Sequence, residues 1–247
     1  MNATAKTSAP PDLKRLKTKI FADGADLEGI RSLAADRRIA GFTTNPTLMR
    51  KAGIRDYAAF AAAALEVVAG RPISFEVFAD DEPEMERQAR LIATWGDDVY
   101  VKIPVSNTAG QSTAALVRRL SRDGIKLNVT ALMIAEQVHE VATALAGGAP
   151  AYISVFAGRV ADTGRDPLPI LRESLRIMAP QPQLELIWAS PRELLNVFQA
   201  DEIGCHIITV TNDILAKLNL VGKDLLEYSL DTVKMFHRDA SEAAFVV

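Results

Sequence analysis

The chain has 247 residues, 49% hydrophobic and 24% charged, with a formal net charge of −3. That composition supports a sizeable core in one large domain and excludes global disorder. The absence of a basic stripe interleaved with aromatics argues against nucleic acid as a partner, and no apolar run approaches the roughly 20 residues of a membrane span.

Residues 1–17, MNATAKTSAPPDLKRLK, lack an apolar signal core and read as a flexible tail, which makes the cytoplasm the expected compartment. From residue 18 to 247 the pattern predicts a single domain. Short β-rich runs alternate with helical segments. The predicted strands are KIFADG (19–24), IAGFTTN (39–45), PISFEVF (72–78), VYVKIPV (99–105), IKLNVTA (125–131), YISVFAG (152–158), LELIWAS (184–190) and HIITVTN (206–212). The clearest helix follows the second strand. Its residues Tyr57, Phe60, Ala61, Ala64, Leu65 and Val68 fall on one face at helical spacing, and Gly70 stops it. Strands alternating with helices imply a parallel sheet. Eight cycles at this length imply an α/β fold, a closed (β/α)8 TIM barrel, with an open doubly wound sheet as the alternative. The segment 222–240, GKDLLEYSLDTVKMFHRDA, adds a C-terminal helix. Its stripe of Leu225, Leu226, Ser229, Val233 and Phe236 suits either the barrel's own surface or a second copy of the chain.

Strand side chains alternate between two faces, and in a barrel one parity points inward. In the fourth strand Val99, Val101, Ile103 and Val105 face the helices, which leaves Tyr100 and Lys102 inside. The same count puts Asp23, Thr43, Asn45, Ser74, Glu76, Asn128, Thr130, Ser154, Phe156, Trp188 and Ser190 on the inner parity of their strands. The ionisable members cluster toward the C-terminal ends, where barrel enzymes build their sites. Lys102 in an apolar strand is costly, because burial disfavours the ammonium form. A neutral amine in such a place is a nucleophile toward carbonyls. The competing reading is a structural ion pair with Asp23 or Glu76. His139, His206 and His237 are scattered without ligand spacing and Cys205 is the single cysteine, so neither a disulfide nor a metal site is expected.

GFTTNPTLM (41–49), VYVKIP (99–104), KLNVTAL (126–132), YISVFAGRVAD (152–162) and ASPR (189–192), in this order, resemble segments of the transaldolase family, which includes the fructose-6-phosphate aldolases. The resemblance spans roughly residues 18 to 220. It implies that Lys102 forms a Schiff base with the C2 ketone of a ketose phosphate of the fructose 6-phosphate or sedoheptulose 7-phosphate type. It implies Asp23 as the base for the C4 hydroxyl, Glu76 with Thr130 as the holders of a water, and no cofactor. Asn45 and Asn128, with Thr43, Ser154 and Phe156 nearby, are the implied donor-sugar contacts. The phosphate contacts are Arg159, Ser190 and Arg192, with Arg165 read as a surface residue. An aldose phosphate would accept the three-carbon unit, within carbohydrate metabolism of the pentose phosphate type, and the family's habit implies a homo-oligomer.

Glu76 and Phe156 match the transferase branch, where the aldolase branch tends to carry Gln and Tyr. Phenylalanine cannot help activate water as a phenol can. Two positions depart from the commonest family form. Gly24 follows Asp23 where Thr or Ser is usual, and Pro191 stands between Ser190 and Arg192 where Phe is usual. They admit two alternatives, a lyase that releases dihydroxyacetone and a transaldolase for a modified sugar such as a sulfonated ketose.

Overall fold

A computed structural model describes residues 11–243, which divide into a compact unit of Leu16–Ala216 and a second one formed by the remaining residues. In the first, eight strands run in parallel: β1 (Lys19–Asp23), β2 (Ile39–Thr43), β3 (Ile73–Glu76), β4 (Val99–Pro104), β5 (Leu127–Leu132), β6 (Ala151–Val155), β7 (Leu184–Trp188) and β8 (Ile207–Thr211). They close in sequence order, with β8 pairing back onto β1. The connections hold α1 (Leu27–Ala34) after β1, α2 (Pro46–Lys51) and α3 (Tyr57–Val68) after β2, α4 (Glu82–Ala93) after β3 and α5 (Ala114–Arg122) after β4. Then come α6 (Ala135–Ala144) after β5, α7 (Ala157–Ala161) and α8 (Leu168–Met178) after β6, α9 (Leu195–Glu202) after β7 and α10 (Asn212–Leu215) after β8. The closed (β/α)8 barrel is the predicted fold.

Local chemistry sets the helix starts. Asp26, Asn45, Asp56 and Asp81 each cap a helix by accepting from backbone amides of its first turn, and Pro46 occupies the first turn of α2, where its missing N–H costs nothing. The predicted face of α3 buries Phe60, Ala61, Ala64 and Val68. The helix ends through two left-handed residues, Ala69 and Gly70, one position before the predicted stop.

Three strands end sooner than their apolar runs suggest. β3 stops at Glu76, β6 at Val155 and β7 at Trp188. In each case the chain leaves the sheet at the mouth of the barrel. This early exit corrects the parity count on β7. Ile187 and Ala189 belong to the interior cluster with Phe21, Tyr100, Tyr152 and Ile207, so Trp188 lies on the helix side, 1% exposed. Ser190 stands beyond the strand in a left-handed turn (φ 60°), where strand alternation no longer applies.

The interior cluster seals the floor. Tyr100 and Tyr152 stack with ring centroids 3.9 Å apart, and Phe21 meets Tyr152 edge-on at 5.8 Å. Gly41 of β2 makes room for this floor, because a Cβ there would lie 2.5 Å from Phe21 Cζ.

The second unit is described over residues 11–15 and 217–243. Leu13–Arg15, within the expected tail, form one 3-10 turn; the first ten residues of that tail lie outside the described residues. α11 (Leu225–Glu242) starts at the cap Asp224, slightly later than predicted. None of its residues is buried, and Leu225 and Leu226 are 80% and 81% exposed. Among the described residues no helix is long and apolar enough to cross a membrane.

The Gly41 contact yields a stability test. Gly41→Ala forces a methyl against the Phe21 ring, and overpacking of this kind costs about 1–3 kcal/mol. Thermal melts should show a lower midpoint for Gly41→Ala and partial recovery when Phe21→Leu is added.

Candidate active site

Above the aromatic floor the inward side chains become polar. Asn128 of β5 is fully buried, its amide bonded to neighbours on both sides. Its Nδ2 donates to Ser74 Oγ at 3.0 Å, and its Oδ1 accepts from Ser154 Oγ at 2.7 Å. This layer lies under a cavity of about 590 Å³ at the C-terminal ends of the strands. Asp23, Thr43, Asn45, Glu76, Lys102, Thr130, Ser154, Phe156, Arg159, Ser190 and Arg192 line it. Of the predicted site residues, only Asn128 is set back from the cavity wall.

Lys102 is 6% exposed. Its Nζ donates to the Thr44 backbone carbonyl at 2.9 Å and pairs with Glu76 Oε2 at 3.2 Å. β3 and β4 pair in register at Glu76 and Lys102, which puts the two side chains side by side. The ion pair anticipated as the competing reading of Lys102 is thus present. It sits open to the cavity.

Asp23 accepts from Thr43 Oγ1 at 2.8 Å and from Asn45 Nδ2 at 3.3 Å. Asn45 holds its amide one way round because its Oδ1 is spent on capping α2 at the Leu48 amide. Burial pushes the Asp23 carboxyl above the ordinary 3.8, and the Lys102 charge and the Thr43 and Asn45 hydrogen bonds oppose that push without cancelling it.

Thr130 sits where β5 departs from regular pairing. Val129 pairs with Ile153 and Leu132 with Val155, so β5 carries one extra residue. Ala131 takes it up in a left-handed conformation (φ 67°). Thr130 is 2% exposed, and its hydroxyl has no hydrogen-bond partner among the described residues.

At the rim Arg192 is heavily engaged. Its Nε and Nη2 clamp both carboxylate oxygens of Asp162, at 2.8 and 2.5 Å, and its Nη1 reaches Ser190 Oγ at 3.0 Å. The guanidinium holds the Asp162 carboxyl below its usual range. Gly158 permits this crowding, since a Cβ there would sit 1.6 Å from the Ser190 carbonyl oxygen. Arg159 lies over the Phe156 ring, 5.8 Å from its centroid.

Some of the wall was missed from sequence. Thr209 and Thr211 of β8 line the cavity, and Thr209 Oγ1 meets Thr43 Oγ1 at 2.5 Å. The parity rule applied to ITVT would have found both. Asp213, bonded to Thr211, also reaches the cavity. The Thr44 carbonyl carries no residue-type signature at all. At the departure noted after Asp23, a Cβ added to Gly24 would meet nothing within 4 Å, so packing does not impose the glycine.

The set is a lysine amine beside one carboxylate, a second carboxylate raised by burial, and hydroxyls and an amide suited to a polyol. It can form a carbon–nitrogen bond to a ketone and move protons around it. Comparison with known proteins agrees with this chemistry. The sequence profile of the "Transaldolase/Fructose-6-phosphate aldolase" family matches residues 20–246. A "Probable transaldolase" from Thermoanaerobacter sp. (strain X514) is 36% identical over 90% of this chain and 98% of its own length. Another from Herpetosiphon aurantiacus is 32% identical over 92% of this chain and 98% of its own. Among solved structures, a mandelate oxidase superimposes with a TM-score of 0.55 at 14% identity, over 82% of this chain and 71% of that one, a likeness of fold alone.

The burial of Asp23 yields a pH-dependent prediction. Its raised value means that the folded state favours the protonated carboxyl. Stability is therefore retained at low pH and falls as pH rises through the raised value, where the fold must hold a buried anion. Asp23→Asn should melt higher than the wild type at pH 7, and the gain should vanish below about pH 4. A melt at pH 7 no higher than wild type would mean that Lys102, Thr43 and Asn45 outweigh the burial.

Proposed function

The chain belongs to the transaldolase/fructose-6-phosphate aldolase family, and we propose that it is a transaldolase. It moves a three-carbon dihydroxyacetone unit from a ketose phosphate to an aldose phosphate through an imine on Lys102. The observation that carries this reading is the Lys102–Glu76 contact at 3.2 Å in a cavity that also holds Asp23.

An ammonium proton passed to Glu76 frees the Lys102 lone pair to attack C2 of the ketose. Loss of water then gives a protonated imine, with Glu76 and the unpartnered Thr130 hydroxyl holding the water. Asp23 takes the C4 hydroxyl proton as the C3–C4 bond breaks. The electron pair of that bond flows into the iminium, and a neutral enamine stays on Lys102 while an aldose phosphate departs. An acceptor aldehyde reverses the sequence, and Asp23 returns its proton. Asn45 and Ser154 supply hydrogen bonds to sugar hydroxyls. Arg159 meets the terminal phosphate, with Ser190 and Arg192 beside it. Asn128 acts through Ser74 and Ser154, from beneath.

Phe156 favours transfer over release, because a phenyl ring offers no group to activate water for hydrolysis of the enamine-derived imine. A second reading, a ketose with a singly charged terminus such as a sulfonate, is favoured by one observation. Asp162 already occupies Arg192, which leaves less positive charge for a dianion. A cytoplasmic setting and self-association through the exposed stripe of α11 belong to the same reading.

Acceptor dependence tests it. With fructose 6-phosphate as donor, formation of glyceraldehyde 3-phosphate should be sustained when erythrose 4-phosphate is present. Without an acceptor it should stop near one turnover, and Lys102→Ala should form none. Steady release of dihydroxyacetone without an acceptor would make the protein a lyase.

A further inference from the structure

The end of β3 poses a hydrogen-bonding problem. In a parallel strand the N–H and C=O of one residue point toward the same neighbouring strand. For Glu76 that side is β2. Yet β2 pairs with β3 only at Phe42–Ile73 and Thr43–Ser74, and the last ladder bond runs from the Thr44 amide to the Ser74 carbonyl. Glu76 lies beyond it, its backbone donor and acceptor both facing the gap. Unpaired buried backbone groups cost as much as lost hydrogen bonds, so something must fill that gap.

Tyr57, the first residue of α3, fills it. Its hydroxyl accepts from the Glu76 amide at 2.7 Å and donates to the Glu76 carbonyl at 3.1 Å. A phenol suits this place because one oxygen both donates and accepts. The same hydroxyl lies against the Thr44 side chain, and the Thr44 carbonyl receives the Lys102 ammonium at 2.9 Å. One oxygen thus stands behind both members of the Lys102–Glu76 pair. The ring is fixed in turn by Trp95 at 5.2 Å and Phe75 at 6.0 Å, both edge-on, and by Phe78 at 4.6 Å.

We propose that Tyr57 is a positioning residue, whose hydroxyl clamps the Glu76 backbone and the Thr44 turn so that the Glu76 carboxylate and Lys102 Nζ are held in register for proton transfer. The inference rests on the function proposed above. Tyr57 does not line the cavity, so it acts through the residues it holds. A displacement of about 1 Å at a reacting group costs on the order of a hundredfold in rate.

Two variants separate the hydroxyl from its packing. Tyr57→Phe keeps the ring and deletes the oxygen. Trp95→Phe thins the same aromatic cluster and keeps the oxygen. Both should lower the melting temperature. Only Tyr57→Phe should lower kcat, by about tenfold or more, with KM within about twofold. Only Tyr57→Phe should also speed hydrogen exchange at the Glu76 amide. Equal losses of kcat in both variants, tracking the melting temperatures, would reduce Tyr57 to a packing residue. Unchanged protection of the Glu76 amide in Tyr57→Phe would overturn the clamp whatever the activity. A wild type that turns over no ketose phosphate, while Tyr57→Phe still loosens that amide, would overturn the proposed function and leave the backbone clamp standing.

Discussion

One ammonium held between a carboxylate and a carbonyl inside a closed barrel governs the rest of the molecule. At 3.2 Å and an effective dielectric near 20, the Lys102–Glu76 attraction is on the order of 5 kcal/mol. Withdrawing two charges from water costs several kcal/mol each. The pair therefore brings little net stability, and a well-packed apolar pair would serve the fold as well. Asp23 adds a carboxyl that burial pushes toward its neutral form. A fold that carries three such groups in one cavity is holding reactive chemistry, and its floor and rim are built around them. The aromatic layer keeps water from entering below, and the bulge at Ala131 turns the free Thr130 hydroxyl toward the reacting groups.

The two ends of the cavity differ in character. Deep inside, small hydroxyls and the Asn45 amide offer short, neutral hydrogen bonds, which suits a polyol chain. At the rim the charges are larger and partly spent, since Arg192 is committed to Asp162 while Arg159 rests on an aromatic face. The position of the anion site follows from the turn at Ser190. That turn is left-handed and presses its carbonyl onto Gly158, which draws the loops after β6 and β7 together.

Much of this was legible in the sequence. Alternation within the strand segments identified the barrel and placed Asp23, Thr43, Glu76, Lys102, Thr130 and Ser154 on its inner face, because a period of two survives wherever strands are regular. It failed where they are not. On β7 the count was carried through Ser190, past the point where the chain leaves the sheet, and so Trp188 was turned inward. Asn128 was rightly read as interior, but its depth could not be seen, because depth depends on the stagger between neighbouring strands. Tyr57 read as one more apolar position on a helix face. Its hydroxyl gains a role only because β2 ends before Glu76, a fact of pairing that no local pattern records.

The central claim is that Lys102 becomes covalently attached to the substrate carbonyl. The direct measurement is borohydride reduction of the protein during incubation with fructose 6-phosphate, followed by intact mass and peptide mapping, and repeated with sedoheptulose 7-phosphate and a sulfonated ketose. The account predicts an adduct on the peptide that contains Lys102, of hexose phosphate or dihydroxyacetone size in the first incubation, and no adduct in Lys102→Ala. Folded protein left unmodified by all three ketoses, or modified at a different lysine, would contradict it and return Lys102 to the role of a structural ion pair.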